Sequence, residues 1–176
     1  MEEEKGEIAM SDTNIIAEPG KQEIVIERVF DAPRELVFKA YTDPSLMTQW
    51  WSPRKYTVEV DKMDVRPGGT WRIDTRDADG NDYWFHGVYH DISPPDRIVQ
   101  TFEFEGMPGH VSLETATFED VDGKTKVTAR SVFQTVEDRD GMLQSMEAEP
   151  AEVMNEVMDR LAELLQRLQK RISRAA

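Results

Sequence analysis

Apolar residues recur at helical spacing along the last part of the chain, from Met142 to Ile172. Positions three or four residues apart keep one face of a helix away from water. The apolar positions are Met142, Met146, Val153, Met154, Val157, Leu161, Leu164, Leu165, Leu168 and Ile172. Because Pro150 cannot donate a helix hydrogen bond, the pattern favours a short segment over about 138–149 and a main helix that begins at Pro150. The sequence therefore predicts a long amphipathic helix whose apolar stripe needs a partner surface.

Short apolar or alternating segments precede this helix and are separated by turn residues. These segments are 23–30, 56–63, 70–75, 83–92, 98–104, 111–118 and 126–133. The turns contain Asp79-Gly80, Asp122-Gly123 and Gly68-Gly69, and glycine supplies the positive φ angle that tight hairpins require. The pattern predicts seven antiparallel strands that follow one another as a meander.

Two short helices are predicted between the first and second strands. Pro33 suits the first turn of a helix, and Leu36, Val37 and Ala40 follow it at helical spacing. A second helix begins after Asp43 and ends before Pro53. The predicted fold class is therefore α+β: a curved seven-stranded antiparallel sheet, two short helices after strand 1, and a long C-terminal helix packed across the sheet.

The domain organisation follows from the ends of these patterns. Residues 1–21 carry six acidic residues and no sustained period, which indicates a disordered acidic tail. Residues 22–172 form a single predicted domain, and 173–176 form a C-terminal tail. The basic end of the long helix (Arg167, Lys170, Arg171 and Arg174) complements the helix dipole and is interpreted as solvated, with a patch for a membrane or an acidic partner as the alternative.

Charge and cysteine content narrow the function classes. The formal net charge is −14, whereas proteins that bind the phosphate backbone concentrate lysine and arginine, so no nucleic-acid partner is expected. No apolar run approaches the roughly 18 residues of a membrane span, and the start of the chain is acidic, so no membrane partner and a cytoplasmic location are expected. The chain has no cysteine, which removes disulfides, thiolate nucleophiles and cysteine-bound zinc.

Metal and catalytic motifs are not convincing in this sequence. His86 and His90 lie four residues apart in a predicted strand, about 13 Å, too far to share a zinc ion. The stretch that begins at Asp77 resembles a calcium loop but has Asp82 where the glycine belongs. No nucleotide-binding or serine-hydrolase motif occurs. No cofactor, no metal and no catalytic residues are therefore predicted.

Charged residues inside the predicted strands could line an interior if they pointed inward. Glu103 and Glu114 lie between apolar or small neighbours, and strand alternation favours solvent for both. The arginines of the strands, Arg28, Arg72 and Arg130, are likewise expected to face outward.

Several motifs, in a fixed order, carry a resemblance to a known family. They are residues 26–33, 37–44, Trp50-Trp51, 65–69, 85–88, 92–98 and 159–165. Together with the order of the elements, they resemble the START-like or SRPBCC superfamily with its helix-grip fold. The branch that looks most similar is named for the activator of the heat-shock protein 90 ATPase. The resemblance covers about residues 22–170 and implies a cavity between sheet and helix that accepts a small apolar or aromatic molecule in many relatives.

Aromatic residues and methionines are the natural lining of such a cavity, because ligand sites are mostly apolar and methionine adapts to irregular ligands. The candidates are Tyr41, Trp50, Trp51, Trp71, Phe85, His86, Phe102, Phe104, Met146, Met154, Val157 and Leu161. The same residues could equally form a filled core.

Three functions remain open at this point. The first is non-catalytic binding of a small apolar or aromatic molecule, in connection with stress adaptation. The second is a chaperone-linked interaction module that acts through an acidic surface and exposed Trp50-Trp51. The third is an enzyme of the cyclase or dehydratase type, which would need an inward polar group. A monomer and a homodimer both fit the sequence.

Overall fold

The structure is a computed structural model that describes residues 13–146 and 148–176. Within these residues the chain forms eight strands and four helices. In chain order they are β1 (Asn14–Ile16), β2 (Glu23–Phe30), α1 (Arg34–Thr42), α2 (Pro44–Met47), β3 (Thr57–Met63), β4 (Thr70–Arg76), β5 (Asp82–Ser93), β6 (Arg97–Phe104), β7 (Val111–Val121), β8 (Lys124–Val132), α3 (Val136–Gln144) and α4 (Pro150–Ala175).

All strands belong to one antiparallel sheet in the order β1-β2-β8-β7-β6-β5-β4-β3. Strands β3 to β8 form a meander, and β2 joins the sheet beside β8 after the excursion through α1 and α2. The register shifts in β3, between Val60 and Lys62, and in β5, between Tyr89 and Asp91. Such irregularities bend strands and increase their twist, which lets the sheet curve around a helix. The predicted α+β fold is confirmed.

The strand count differs from the prediction by one. β1 pairs with β2, with Ile15 opposite Ile26, although the sequence placed Asn14–Ile16 inside a disordered tail. A three-residue strand is too short to show a period, and it forms here because β2 offers a free edge. The predicted tail residues 1–12 lie outside the described residues, and α4 continues to Ala175, through most of the predicted C-terminal tail. The division of the chain into tails and one domain stays a prediction.

The interruption before the long helix is confirmed. α3 ends at Gln144, and α4 begins with Pro150 in its first turn, where the missing N–H of proline has no helix partner to lose. Thr135 caps α3 by accepting a hydrogen bond from the backbone N–H of Asp138 (3.0 Å). Met142 therefore lies in α3 and Met146 in the connection, so the apolar stripe is divided between two helices.

Packing of α4 across the sheet is carried by its middle. Met158, Leu161, Leu164 and Leu165 are buried in one core cluster with residues from β2, α1, β7 and β8. The helix is also held by polar contacts on both of its sides. Arg28 of β2 forms an ion pair with Asp159 (2.6 Å), and Arg54, which follows α2, forms one with Glu163 (2.6 Å).

Candidate functional site

The side of the sheet that α4 covers, here called the concave face, is buried at one end and partly open at its centre. Near α1 and the buried part of α4, its residues Ile98, Phe118 and Val127 are buried. The central residues remain partly accessible to solvent although a helix crosses the sheet. We call this region the concave cleft, formed by Ile26, Gln100, Phe102, Glu114, Ala116, Ala129 and Ser131.

Small side chains occupy the centre of the concave face, where the residues are only partly buried. Ala116 and Ala129 lie directly opposite each other on β7 and β8, and Ile26 of β2 is the next partner of Ala129. Two neighbouring alanines leave a depression in a sheet whose surrounding positions carry larger residues. On α4, Val153, Met154 and Val157 precede the buried turn and are also partly accessible. The central alanines and the first half of α4 are therefore the partly accessible parts of this region.

Aromatic rings form one wall of this region. Trp51, Trp71, Phe85 and Phe102 make an aromatic cluster in which neighbouring ring centroids lie 5.3 to 6.4 Å apart, several of them edge to face. Gly87 lies beneath the indole of Trp71. A Cβ atom at this glycine would lie 2.5 Å from Trp71 Nε1 and 1.9 Å from the carbonyl oxygen of Thr101. Glycine is therefore required for the Trp71 ring to pack onto β5.

A carboxylate lies on the concave face beside the aromatic cluster. Glu114 accepts a hydrogen bond from Ser112 Oγ (2.7 Å) at one oxygen and a short one from Ser131 Oγ at the other. Burial raises the pKa of the Glu114 carboxyl above its ordinary value, and the two serine hydrogen bonds oppose this shift only in part. The prediction that Glu114 faces solvent is wrong, because its strand neighbour Leu113 is the exposed one. Glu103, predicted to face outward, does so.

Arg28 also departs from the prediction, since it lies on the concave face with its side chain buried. Its Nη1 donates to Asp159 (2.6 Å) and to Thr13 Oγ1 (3.2 Å). Arg72 and Arg130 point to the convex face as expected. Arg72 pairs with Glu105 at 2.9 Å and lies over the Trp84 ring, and Arg130 pairs with Glu23 at 2.6 Å.

The candidate cavity residues separate into groups. Trp51, Trp71, Phe85 and Phe102 come together in the aromatic cluster, and Phe104 extends it from Phe85 (5.2 Å). Tyr41 and Trp50 instead pack on each other, 4.7 Å between centroids, and Tyr41 also packs on Phe118. Met154 and Val157 lie on the open part of α4, Met146 lies before it, and Leu161 is fully buried. Their role in binding stays a prediction.

His86 does not lie at the concave cleft. It follows Phe85 in β5, and successive side chains of a strand point to different faces, so His86 lies on the convex face of the sheet. Its ring nitrogens lie 3.8 Å from Glu103 Oε1 and 3.7 Å from Glu105 Oε2. His110 contacts Asp138 at 2.7 Å. Across residues 13–146 and 148–176, no group of three or more histidine, aspartate and glutamate side chains is placed to hold a metal ion.

Two solvent-filled grooves lie elsewhere on the molecule. One, of about 660 Å³, runs between β2 and the second half of α4 and includes Arg28, Leu165 and Gln169. The other, of about 680 Å³, includes Asp96, Arg97 and Phe118. Neither is lined by any of the candidate cavity residues.

Comparison with known proteins places the chain in a family. The family model described as "Activator of Hsp90 ATPase homolog 1-like protein" matches residues 31–166. Among curated proteins, none matches the sequence. No helix of the described residues is both long and apolar enough to cross a membrane.

Solved structures with the same fold come from several bacteria. Protein Ms6760 from Mycobacterium smegmatis is 22% identical, with a TM-score of 0.77, over 88% of this chain and 97% of that one. A protein from Rhodobacter sphaeroides is 24% identical, with a TM-score of 0.78, over 88% and 99% of the two chains. A protein from Staphylococcus epidermidis is 29% identical, with a TM-score of 0.72, over 88% and 94%.

Proposed function

Because the chain belongs to the Activator of Hsp90 ATPase homolog 1-like family, within the START-like helix-grip superfamily, we propose that it binds a small, mainly aromatic molecule in the concave cleft. One observation carries the proposal. The central residues of the concave face stay partly accessible although α4 crosses them, whereas the residues at the end near α1 are buried. A site of this kind is concave, mostly apolar and has a few polar groups, as small-molecule sites generally do.

The walls of the concave cleft suit an aromatic molecule. The rings of Phe85 and Phe102, with centroids 5.3 Å apart, belong to a cluster that already packs in tilted and edge-to-face arrangements. A further ring entering beside Phe102 continues this packing, and such ring pairs contribute about 0.5–1.5 kcal/mol beyond the area they bury. Ala116 and Ala129 supply the floor, and Met154 and Val157 on α4 supply adaptable apolar surface.

Two kinds of experiment test the proposal. First, the purified protein is screened against a library of aromatic and lipid metabolites by thermal shift, and native mass spectrometry identifies any molecule that stays bound. A ligand present at 100 times its Kd stabilises the protein by about 2.7 kcal/mol, which is readily detected as a higher Tm. We expect aromatic compounds to raise the Tm. A library without any stabilising compound contradicts the proposal.

Second, the Ala116→Phe variant fills the depression. If the space is open, the added ring is accommodated, the protein keeps its stability and ligand affinity falls at least tenfold. If the space is filled, the ring overpacks the core and costs about 1–3 kcal/mol or prevents folding, which contradicts the proposal. Thr115→Phe is the matched control, since it adds the same ring to the same strand on the opposite face. It is expected to leave ligand affinity unchanged.

The chaperone-linked alternative loses the exposed tryptophans on which it partly rested, whereas the acidic surface that it also invoked stays a prediction. Trp50, expected to be exposed, is 4% exposed and donates its indole N–H to the Ala40 carbonyl (3.0 Å). Trp51 packs in the aromatic cluster. The family name still makes a chaperone the first protein partner to test, by measuring whether the purified protein changes the ATPase rate of its host's chaperone. A cytoplasmic location and a role in stress adaptation stay predictions.

The enzymatic alternative required an inward polar group, and Glu114 is one. Its hydrogen-bond partners in the described residues are the hydroxyls of Ser112 and Ser131, and no second titratable group contributes to its pKa. A general acid or base must lie within hydrogen-bond reach of the proton that it transfers, and the bound substrate that would place such a proton is not identified, so we propose binding as the function of this arrangement.

A further inference from the structure

We infer that Glu114, Ser112 and Ser131, together called the acidic pole, make the concave cleft selective for an aromatic molecule that carries a protonated amine. This inference rests on the proposed function of the cleft and assigns the chemical class of its ligand. It depends on three properties of the acidic pole: its hydrogen-bonding capacity, the placement of the nearby cations, and its position beside the aromatic cluster.

The hydrogen-bonding capacity of the acidic pole is that of an acceptor. Both serine hydroxyls donate to Glu114, one to each carboxylate oxygen, so neither hydroxyl proton remains for a ligand. Each carboxylate oxygen has two lone pairs and uses one of them here, and the serine oxygens keep lone pairs as well. A group with several donors and no acceptor complements this arrangement. A protonated amine has three donors when it is primary and no acceptor.

No cation of the described chain neutralises Glu114. Burial is the cause that raises its pKa, and no charged side chain takes part. The two buried arginines are both engaged elsewhere. Arg28 pairs with Asp159, and its strand partner Val127 lies four residues along β8 from Ser131, a separation of about 13 Å. Arg139 pairs with Asp140 at 2.7 Å and donates to the carbonyl of Glu18 at 2.7 Å.

The position of the acidic pole matches an amine carried by an aromatic ring. Phe102 lies directly opposite Ser112 in the β6–β7 pairing, so the aromatic cluster ends where the acidic pole begins. On the same face, Gln100 lies opposite Glu114 from β6 and Ser131 lies opposite it from β8. These neighbours are neutral. A ring against Phe102 therefore brings a short amine chain to the Glu114 carboxylate without meeting a competing cation.

The energetics favour an amine over an alcohol or an acid of the same shape. Both an amine and an alcohol can donate a charge-assisted hydrogen bond to the carboxylate, but only the protonated amine adds the attraction of opposite charges, which is strong at a largely desolvated carboxylate without a counter-ion. An alcohol offers a single neutral donor. A carboxylate ligand places a second negative charge beside Glu114 and is repelled.

A matched series of indoles tests the inference: tryptamine (amine), tryptophol (alcohol) and indole-3-propionate (acid), measured by isothermal titration calorimetry at one ionic strength and pH 7. We expect tryptamine to bind the full-length protein about tenfold more tightly than tryptophol, and indole-3-propionate to bind most weakly. In Glu114→Gln the amine and the alcohol should bind within about twofold of each other. Glu119→Gln makes the same change at an exposed position of the same strand and should keep the tenfold preference.

The outcomes separate this inference from the proposed function. If tryptophol binds as tightly as tryptamine, or the preference survives Glu114→Gln, the amine inference is overturned while aromatic binding stands. If tryptamine does not bind but other aromatic compounds stabilise the protein, the inference also fails alone. If no aromatic compound binds, both fail. Should Glu114→Gln not fold, Glu114→Met removes the charge at similar side-chain length, and the amine and the alcohol must then bind within about twofold of each other; a preserved tenfold preference overturns the inference.

Discussion

The ion pair between Arg28 and Asp159 joins the concave face to α4, and its removal should have an asymmetric cost. The Arg28 side chain is 4% exposed, whereas that of Asp159 is 43% exposed, with 2.6 Å between Nη1 and Oδ1. Arg28 Nε is buried and has no hydrogen-bond partner within the described residues. Loss of Asp159 therefore leaves a buried guanidinium whose remaining side-chain acceptor among residues 13–146 and 148–176 is Thr13 Oγ1. Loss of Arg28 instead leaves a carboxylate that water can reach.

The magnitude follows from this asymmetry. Removing one partner of a fully buried pair costs about 3–5 kcal/mol, and exposed pairs are worth about 0–1 kcal/mol. Because Asp159 is nearly half exposed, we expect Asp159→Ala to lower the free energy of unfolding by about 2–3 kcal/mol. Arg28→Met keeps most of the apolar contact and should cost about 1 kcal/mol or less. The double variant should resemble Arg28→Met, which gives a coupling energy of about 2 kcal/mol.

Equilibrium unfolding in urea is the assay, because an uncharged denaturant does not screen the ion pair. Glu163→Ala is the control. It removes a carboxylate one turn further along α4 that pairs with the half-exposed Arg54 at the same 2.6 Å distance, and it should lower stability much less than Asp159→Ala. An Asp159→Ala variant within about 0.5 kcal/mol of the parent, or fully additive single variants, would show that water already solvates Arg28 and refute the reasoning.

Other predictions use the same unfolding assay. Burial raises the pKa of Glu114 in the folded state. The protonated Glu114 therefore contributes its full stabilisation below the ordinary carboxyl pKa of about 4.3, and this stabilisation is lost as the pH rises through the pKa of Glu114 in the folded protein. Glu114→Gln should therefore gain stability relative to the parent as the pH rises from 4 to 8; a constant difference would contradict this. Gly87→Ala should cost about 1–3 kcal/mol or more, because its Cβ meets Thr101 and Trp71, and stability unchanged within error would show that the sheet yields. Leu161→Ala empties a fully buried position and should cost about 2–5 kcal/mol; a cost below 1 kcal/mol would mean that α4 is loosely packed.

The order and type of the elements could be predicted because they depend on local patterns. Alternation and turn glycines located the meander, and the helical spacing with Pro150 located α4 and its first residue. The order of these elements, together with seven family-like motifs between residues 26 and 165, carried the resemblance to the helix-grip fold. β1 was missed because three residues carry no period, and its pairing depends on the free edge of β2.

The face of each strand that points inward was harder to predict. In β7 both alternating sets contain apolar residues: one has Leu113, and the other has Ala116 and Phe118. Leu113 is 45% exposed and Phe118 is 2% exposed, so the set that contains Glu114 lies on the concave face. A glutamate in a strand, considered without its neighbours, is expected to face solvent. Two serines make its burial tolerable: Ser112 lies two residues earlier on the same strand, and Ser131 lies on the next strand, where only the register of β7 with β8 reveals it.

The sequence by itself therefore determined the order and type of the helices and strands, because periodicity and turn chemistry act over a few residues at a time, and the resemblance of its motifs to the START-like superfamily implied the helix-grip architecture. The tertiary structure decided the candidate site, because each part of it joins residues distant in the chain. Arg28 is buried since Asp159, 131 residues later, accepts its hydrogen bond. The partly accessible centre of the concave face carries Ala116 and Ala129, which meet across two strands. The burial of a charged side chain and the face on which it lies depend on such distant partners, and a local sequence pattern does not contain them.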